Sequence, residues 1–215
     1  MRRSMIAGIA AGSVLVTAAV TGVAVAAGNA QPPQATGWHQ NGRLYGPMSD
    51  MRPMSRMHDI HVGSEFDYLA EMVAHHQEAV TAAGQLQRSN RAELRTLGAS
   101  IVKAQSAEIA SMKKWLAAWH PGRSTAVDYR PMMRDLSKLS GDALDKAFLQ
   151  DMIPHHMVAV MMSQQLLMRR QAEHEEVRAF AASVRDTQHS EMFQMQRYLS
   201  DWFGTGSWDM PGMGW

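Results

Sequence analysis

Apolar positions between residues 64 and 203 recur every three or four residues, the period of an amphipathic helix, and no segment shows the two-residue alternation of a strand. Three breaks divide the pattern into four helices. The first is predicted from Ser64 to Arg88, with Ser64 capping it ahead of Glu65 and Asp67. The second runs from about Arg91 to Trp119 and stops at His120-Pro121-Gly122. Residues 120–140 form a long connection. The third starts at Ser140-Gly141-Asp142 and reaches about Arg170. The fourth covers Glu173 to Phe203 and ends at Gly204-Thr205-Gly206. Residues 28–63 hold Pro32, Pro33, Gly37, Gly42, Gly46, Pro47, Pro53 and Gly63 without a sustained period, and read as a flexible arm. Residues 204–215 are a short tail.

The helical region repeats. Leu69-Ala-Glu-Met-Val-Ala-His-His76 aligns with Leu149-Gln-Asp-Met-Ile-Pro-His-His156 at an offset of 80. Gln105-Ser-Ala-Glu108, Met112 and Leu116 align with Gln188-His-Ser-Glu191, Met195 and Leu199 at 83, so three residues are added near the second hairpin turn. Two similar hairpins (64–119 and 141–203) joined by a long crossover predict an all-α, four-helix bundle of ferritin-like connectivity.

Helical angles then select the buried faces. On the first helix Tyr68, Leu69, Met72, His75, His76, Ala79, Ala83 and Leu86 share a stripe; on the third, Phe148, Leu149, Met152, His155, His156, Ala159, Ser163 and Leu166 do. Met72 and Met152 precede their histidines by three and four residues, giving two Met-His-His faces. The second helix aligns Leu94, Leu97, Ile101, Gln105, Glu108, Met112, Trp115 and Trp119. The fourth aligns Val177, Phe180, Val184, Gln188, Glu191, Met195, Tyr198 and Trp202. A glutamate within an apolar face is expensive unless paired. Folding the first hairpin about residue 90 sets Gln105 opposite His75 and Glu108 opposite Met72; folding the second about residue 172 sets Gln188 opposite His156 and Glu191 near Ile153. A buried network in which Glu accepts from imidazolium accounts for any one of these groups. Duplication of the whole set brings in a metal as an equal alternative. Pro154 cannot donate to the carbonyl of Gln150, so it is expected to bend the third helix ahead of His155 and His156, unless the helix starts there.

Composition narrows the chemistry. Lys+Arg 21 against Asp+Glu 20 leaves no basic field for nucleic acid. The absence of cysteine excludes disulfides, thiolate metal sites and cysteine nucleophiles. In contrast, 19 methionines and 10 histidines are many for 215 residues, and thioether and imidazole are neutral soft-to-borderline metal ligands. Arg2 and Arg3 precede an uncharged, apolar stretch to Ala27 with small residues at Ala24-Val25-Ala26, the pattern of an export signal over residues 1–27. Its removal leaves Lys+Arg 19 against Asp+Glu 20 and an extracytoplasmic protein; uncleaved, the same segment would be a membrane anchor, the single route to membrane contact.

The arm carries Met48, Met51, Met54 and Met57 at intervals of three, then His58 and His61, with Asp50, Arg52, Pro53, Ser55 and Arg56 between, which is no apolar core stripe. Such a set suits Cu(I), which accepts low coordination by soft neutral ligands. The tail repeats the theme in Met210 and Met213. The competing account is a hydrophobic flap packed on the bundle. Met132 and Met133 in the crossover read as packing, and His174 and His189, outside the stripes, as surface residues.

The Met-Ile-Pro-His-His run at 152–156, with Asp145, Phe148 and Leu149 upstream and Gln188, Glu191, Met195 and Tyr198 downstream, resembles the signature of the bacterial family called domain of unknown function 305. The resemblance covers residues 64–203. It implies a ferritin-like, exported protein, with copper binding and copper tolerance linked to some members, and His155, His156, Met152 and Glu191 as candidate ligands. In the first half, with His75, His76, Met72, Glu108 and Met112, Val73-Ala74 replaces Ile-Pro and Glu65 stands in place of Asp145, so that half is expected to hold metal less well or to serve as scaffold.

Three functions follow as expectations. The first is a non-enzymatic copper protein, with Cu(I) the favoured ion and a divalent metal the alternative, that sequesters the ion or exchanges it with a donor or acceptor protein. The second is a di-iron or di-manganese oxidase. Such sites need four carboxylates with Glu-x-x-His on two helices, whereas Glu108 and Glu191 lack that histidine and Glu71 and Asp151 lie four residues before His75 and His155. The third is a metal-free helical module that binds a cell-envelope partner. Hydrolytic motifs (a Gly-x-Ser-x-Gly elbow, His-Glu-x-x-His, a phosphate loop) are absent.

Overall fold

The structure, a computed structural model, describes residues 62–204. Four helices follow one another: α1 (Glu65–Gly84), α2 (Ala92–Trp119), α3 (Gly141–Met168) and α4 (Glu175–Phe203), with a 3-10 turn at Gln85–Arg88 after α1. No strand occurs among the described residues. α1 packs on α2, α3 on α4, and α1 meets α3 at the centre, which makes the four-helix bundle of two hairpins that the periodicity predicts. The export segment, residues 28–61 of the arm and the tail beyond Gly204 lie outside the described residues.

Local chemistry sets the helix ends. The Ser64 hydroxyl accepts from the Asp67 amide at 3.2 Å and so satisfies one orphan donor of α1. α4 stops at Gly204, whose φ of 61° returns its amide to the Ser200 carbonyl, 3.1 Å. The α-helical part of the first helix ends at Gly84, and its last stretch tightens into the 3-10 turn. Leu86 of that turn packs where α2 comes closest: a Cβ on Gly98 would lie 2.7 Å from the Ala83 carbonyl oxygen and 2.8 Å from Leu86 Cβ. Only a residue without a side chain lets the two helices approach this near. The three residues added in the second half lie in the longer turn at 169–174, since the 3-10 turn at 85–88 corresponds to the last turn of α3. Val62 and Gly63, assigned by composition to the arm, are instead fixed to the end of α3. The Val62 amide donates to Gln165 Oε1 at 3.3 Å and the Gln171 side chain to the Gly63 carbonyl at 2.8 Å.

All sixteen residues of the α1 and α3 stripes are buried. Their apolar members form two clusters. One surrounds Leu86, Leu94, Ile101, Phe148, Met152 and Met195; the other surrounds Tyr68, Met72, Met112, Leu166, Val177 and Val184. The histidines lie between them, so a polar layer divides the core. Tyr68 donates or accepts across α1 and α3 with Ser163 at 2.9 Å, and the repeat places Phe148 and Ala83 at the corresponding positions, an apolar pair in the other cluster.

The bundle ends are tied reciprocally. Buried Glu65 in the first turn of α1 accepts from the amides of Glu173 and His174 and from the His174 ring at 2.7 Å. Buried Asp145 in the first turns of α3 accepts from Arg91 at 2.6 Å. Arg91 and His174 are the N-cap residues of α2 and α4 and stand 83 apart, so Glu65 ties the first half as Asp145 ties the second. His174 is therefore no free surface residue: it is half-buried, and its ring stacks on Trp119 at 3.6 Å. Its position on the cap, off the helical stripe, hid this role. His189 is exposed against Phe193, as predicted.

Pro154 lies inside α3, which starts at Gly141, so the alternative of a helix start at Pro154 is excluded. The crossover, without helix, is strapped to the bundle by Arg134 on Asp151 at 2.6 and 2.7 Å and by Arg88 on the carbonyls of Leu136 and Leu139.

Candidate metal centre

Four imidazoles meet at the middle of the bundle, each 0–1% exposed. His75 of α1 and His155 of α3 are pseudo-equivalent by the offset of 80, and their ring centroids lie 3.7 Å apart with a tilt of 31°. His76 and His156 sit about one ring further out, 6.1 and 6.2 Å from their chain neighbours, because consecutive residues of a helix diverge by 100°. The divergence aims them at α2 and α4. There His76 Nε2 lies 2.9 Å from Glu108 and His156 Nε2 2.7 Å from Glu191. Folding about residues 90 and 172 placed both glutamates about one turn too far from the hairpin turns. The observed register follows from side-chain direction, since Cβ atoms lean toward the N-terminus of their own helix and carry Glu108 and Glu191 toward the turn.

The protonation pattern is set by these partners. His75 Nε2–H donates to the His155 carbonyl at 2.9 Å. Burial, reinforced by the neighbouring histidines, holds His75 and His155 well below the ordinary value of 6.5, so both are neutral at pH 7. In three of the four rings Nε2 is engaged by an oxygen acceptor, and in all four Nδ1 is buried without a partner. A buried unpaired nitrogen calls for an explanation. An imidazole held by a carboxylate or carbonyl on one nitrogen, with a lone pair on the other, is the arrangement of a metal-ligating histidine.

His155 differs: neither ring nitrogen has a hydrogen-bond partner. Its Nε2 lies 3.2 Å from Glu78 but out of line for a hydrogen bond. Glu78 was not singled out from the sequence. Its carboxylate accepts from the Tyr129 hydroxyl and from the amides of Met132 and Met133, both at 2.8 Å. The Tyr129 ring stands edge-on to His75, centroids 6.4 Å apart. The available signal was Glu78 three residues after His75, on the same face, where the repeat has Val158. Its partners come from the aperiodic crossover, which no periodicity could place.

Methionines border the layer on both sides, Met72 and Met112 in one apolar cluster, Met152 and Met195 in the other. All four are buried. Gln105 and Gln188 are buried beside them with amide atoms unpartnered. Among the described residues no three His, Asp or Glu side chains are gathered into a preformed cation site. The glutamates are engaged by imidazoles instead of facing a common point. Of the two acids that precede the histidine pairs, Asp151 is held by Arg134, and burial and nearby acids raise Glu71 above the ordinary carboxylate range. Met48, Met51, Met54, Met57, His58 and His61 lie outside the described residues, as do Met210 and Met213. Met132 and Met133 pack against the two clusters.

The family model of DUF305, a domain of unknown function, matches residues 65–199, which includes every residue of this layer. The chain belongs to the DUF305 family. Among solved structures, the bundle of this DUF305 chain is similar to CopM in the Cu(I)-bound form, with 30% identity and a TM-score of 0.60 over 66% of this chain and 100% of that one. CopM in the Cu(II)-bound form gives 28% and 0.59 over the same shares. A DUF305 fragment from Deinococcus radiodurans gives 27% and 0.57 over 65% and 97%. No curated protein matches the chain. No described helix of this DUF305 chain is long and apolar enough to cross a membrane.

Proposed function

We propose that this DUF305 protein is a non-catalytic, extracytoplasmic copper-handling protein. It takes up Cu(I) in the imidazole layer and holds it or passes it to an acceptor protein. The observation that carries the reading is the set of His75, His76 and His156, each anchored through Nε2 with Nδ1 unpartnered in the buried core. Neutral imidazole and nearby thioether match a soft ion of low coordination number, whereas iron and manganese sites need carboxylates that are otherwise engaged here. Met72, Met112, Met152 and Met195 are the thioethers within the bundle, and Met48, Met51, Met54, Met57, His58 and His61 form a second candidate set on the arm. Similarity to CopM, solved with Cu(I), Cu(II) and Ag, supports the same ion class.

The test is a Cu(I) competition titration against a chromophoric chelator. The intact chain is expected to compete. A His155→Ala/His156→Ala variant is expected to lose the bundle's share, and a Met51→Leu/Met54→Leu/Met57→Leu variant the arm's share. Failure of the intact chain to compete would overturn the reading and leave the histidines as core polar groups.

A further inference from the structure

We propose that Glu78 and Tyr129 form the doorway of the imidazole layer, through which a soft monovalent metal ion passes between solvent and the His75–His155 pair. The inference rests on the copper reading above. A surface groove of about 590 Å³ lies between α1 and the crossover, and Glu78 and Tyr129 are among the residues that line it. Behind Glu78 lies His155, fully buried, with both ring nitrogens unpartnered and Nε2 3.2 Å from the carboxylate. The groove and the unpartnered imidazole thus meet at one carboxylate, 12% exposed.

The other approaches are bolted. On the α2 side His76 Nε2 is engaged by Glu108, and on the α4 side His156 Nε2 by Glu191, so entry there requires breaking a charge-assisted hydrogen bond of 2.9 or 2.7 Å. The Glu78 route breaks no bond to an imidazole. The Tyr129 hydroxyl and the amides of Met132 and Met133 hold the carboxylate in place, and the crossover that carries them has no helical ladder of its own. A carboxylate at the mouth attracts the cation, and releasing the Tyr129 hydroxyl frees an oxygen to hand it to His155. The repeat places Val158 at the position of Glu78, so among the described residues α3 offers no matching carboxylate there.

The measurement is the rate of Cu(I) transfer from a chromophoric chelator into the full chain with Met48, Met51, Met54 and Met57 changed to Leu, followed by stopped flow. Tyr129→Phe removes one latch bond, and uptake and release are both expected to quicken by about tenfold with unchanged affinity. Glu78→Gln keeps an acceptor for the two amides but loses the anion, and both rates are expected to fall. In the metal-free protein Tyr129→Phe is also expected to speed hydrogen exchange at the Met132 and Met133 amides. Wild-type rates in both variants, or slowing by Glu191→Gln instead, would overturn the doorway while leaving copper binding intact. Absence of Cu(I) uptake by the chain with His155 and His156 present would overturn the copper reading and the doorway together.

Discussion

Acid is expected to destabilise the metal-free bundle through His75 and His155. Both rings are fully buried and held neutral, well below the ordinary 6.5, with burial the main cause and adjacent histidines adding to it. In the unfolded chain the same two imidazoles titrate at their ordinary value. Below it the unfolded state therefore binds more protons than the folded state, and stability falls as pH falls. Going from about pH 7.5 to about pH 5.5 costs roughly 1.4 kcal/mol for each such imidazole, or about 3 kcal/mol for the pair. That is a sizeable part of a typical domain stability of about 5–15 kcal/mol. Urea unfolding followed by helical circular dichroism at the two pH values measures it, with metal removed. His155→Gln eliminates one of the two groups and is expected to halve the pH effect. Equal stability at both pH values, or the same pH effect in wild type and variant, would refute the argument that these rings are kept neutral.

Gly98→Ala puts a Cβ 2.7 Å from a backbone oxygen, so overpacking of about 1–3 kcal/mol outweighs the roughly 1 kcal/mol helix-propensity gain, and Tm is expected to drop by a few degrees in calorimetry. Arg170, exposed after α3, has φ 54° in a Schellman turn whose bonds run from Gln171 to Leu166 and from Arg170 to Leu167. Arg170→Gly should relieve that strain and raise Tm by about 2–4 °C, a gain of about 1 kcal/mol. Saturation with Ag(I) at about a hundred times its dissociation constant should stabilise the folded chain by roughly 2.7 kcal/mol, and chelation should reverse the shift in a thermal scan.

The buried stripes were legible because a helix converts sequence spacing directly into direction. Tyr68 through Leu86 and Phe148 through Leu166 needed no more than the helical period to be placed inside. The repeat gave the order of hairpins, and its change of offset located the longer turn at 169–174. The pairing of Glu108 with His76 was missed by about one turn because reflection about a turn treats side chains as perpendicular to the helix, whereas they lean toward its N-terminus. Tyr129 and the Met132 and Met133 amides, which hold Glu78, were invisible for another reason. Residues without a period give no direction, and their contacts with α1 are separated from it by more than fifty positions. His174 was misassigned because the fourth helix was taken to start at Glu173, whereas His174 is its N-cap, outside the range where helical angles give direction.

The central claim is that buried imidazole Nδ1 atoms await a soft metal ion while Nε2 stays bound to oxygen. Long-range proton–nitrogen correlation spectra of the imidazoles, recorded before and after adding Ag(I), test it directly. The Nδ1 resonances of His75, His76 and His156 are expected to move on metal addition, with Nε2 remaining protonated. Spectra in which no bundle Nδ1 responds, although the chain is folded, would contradict it.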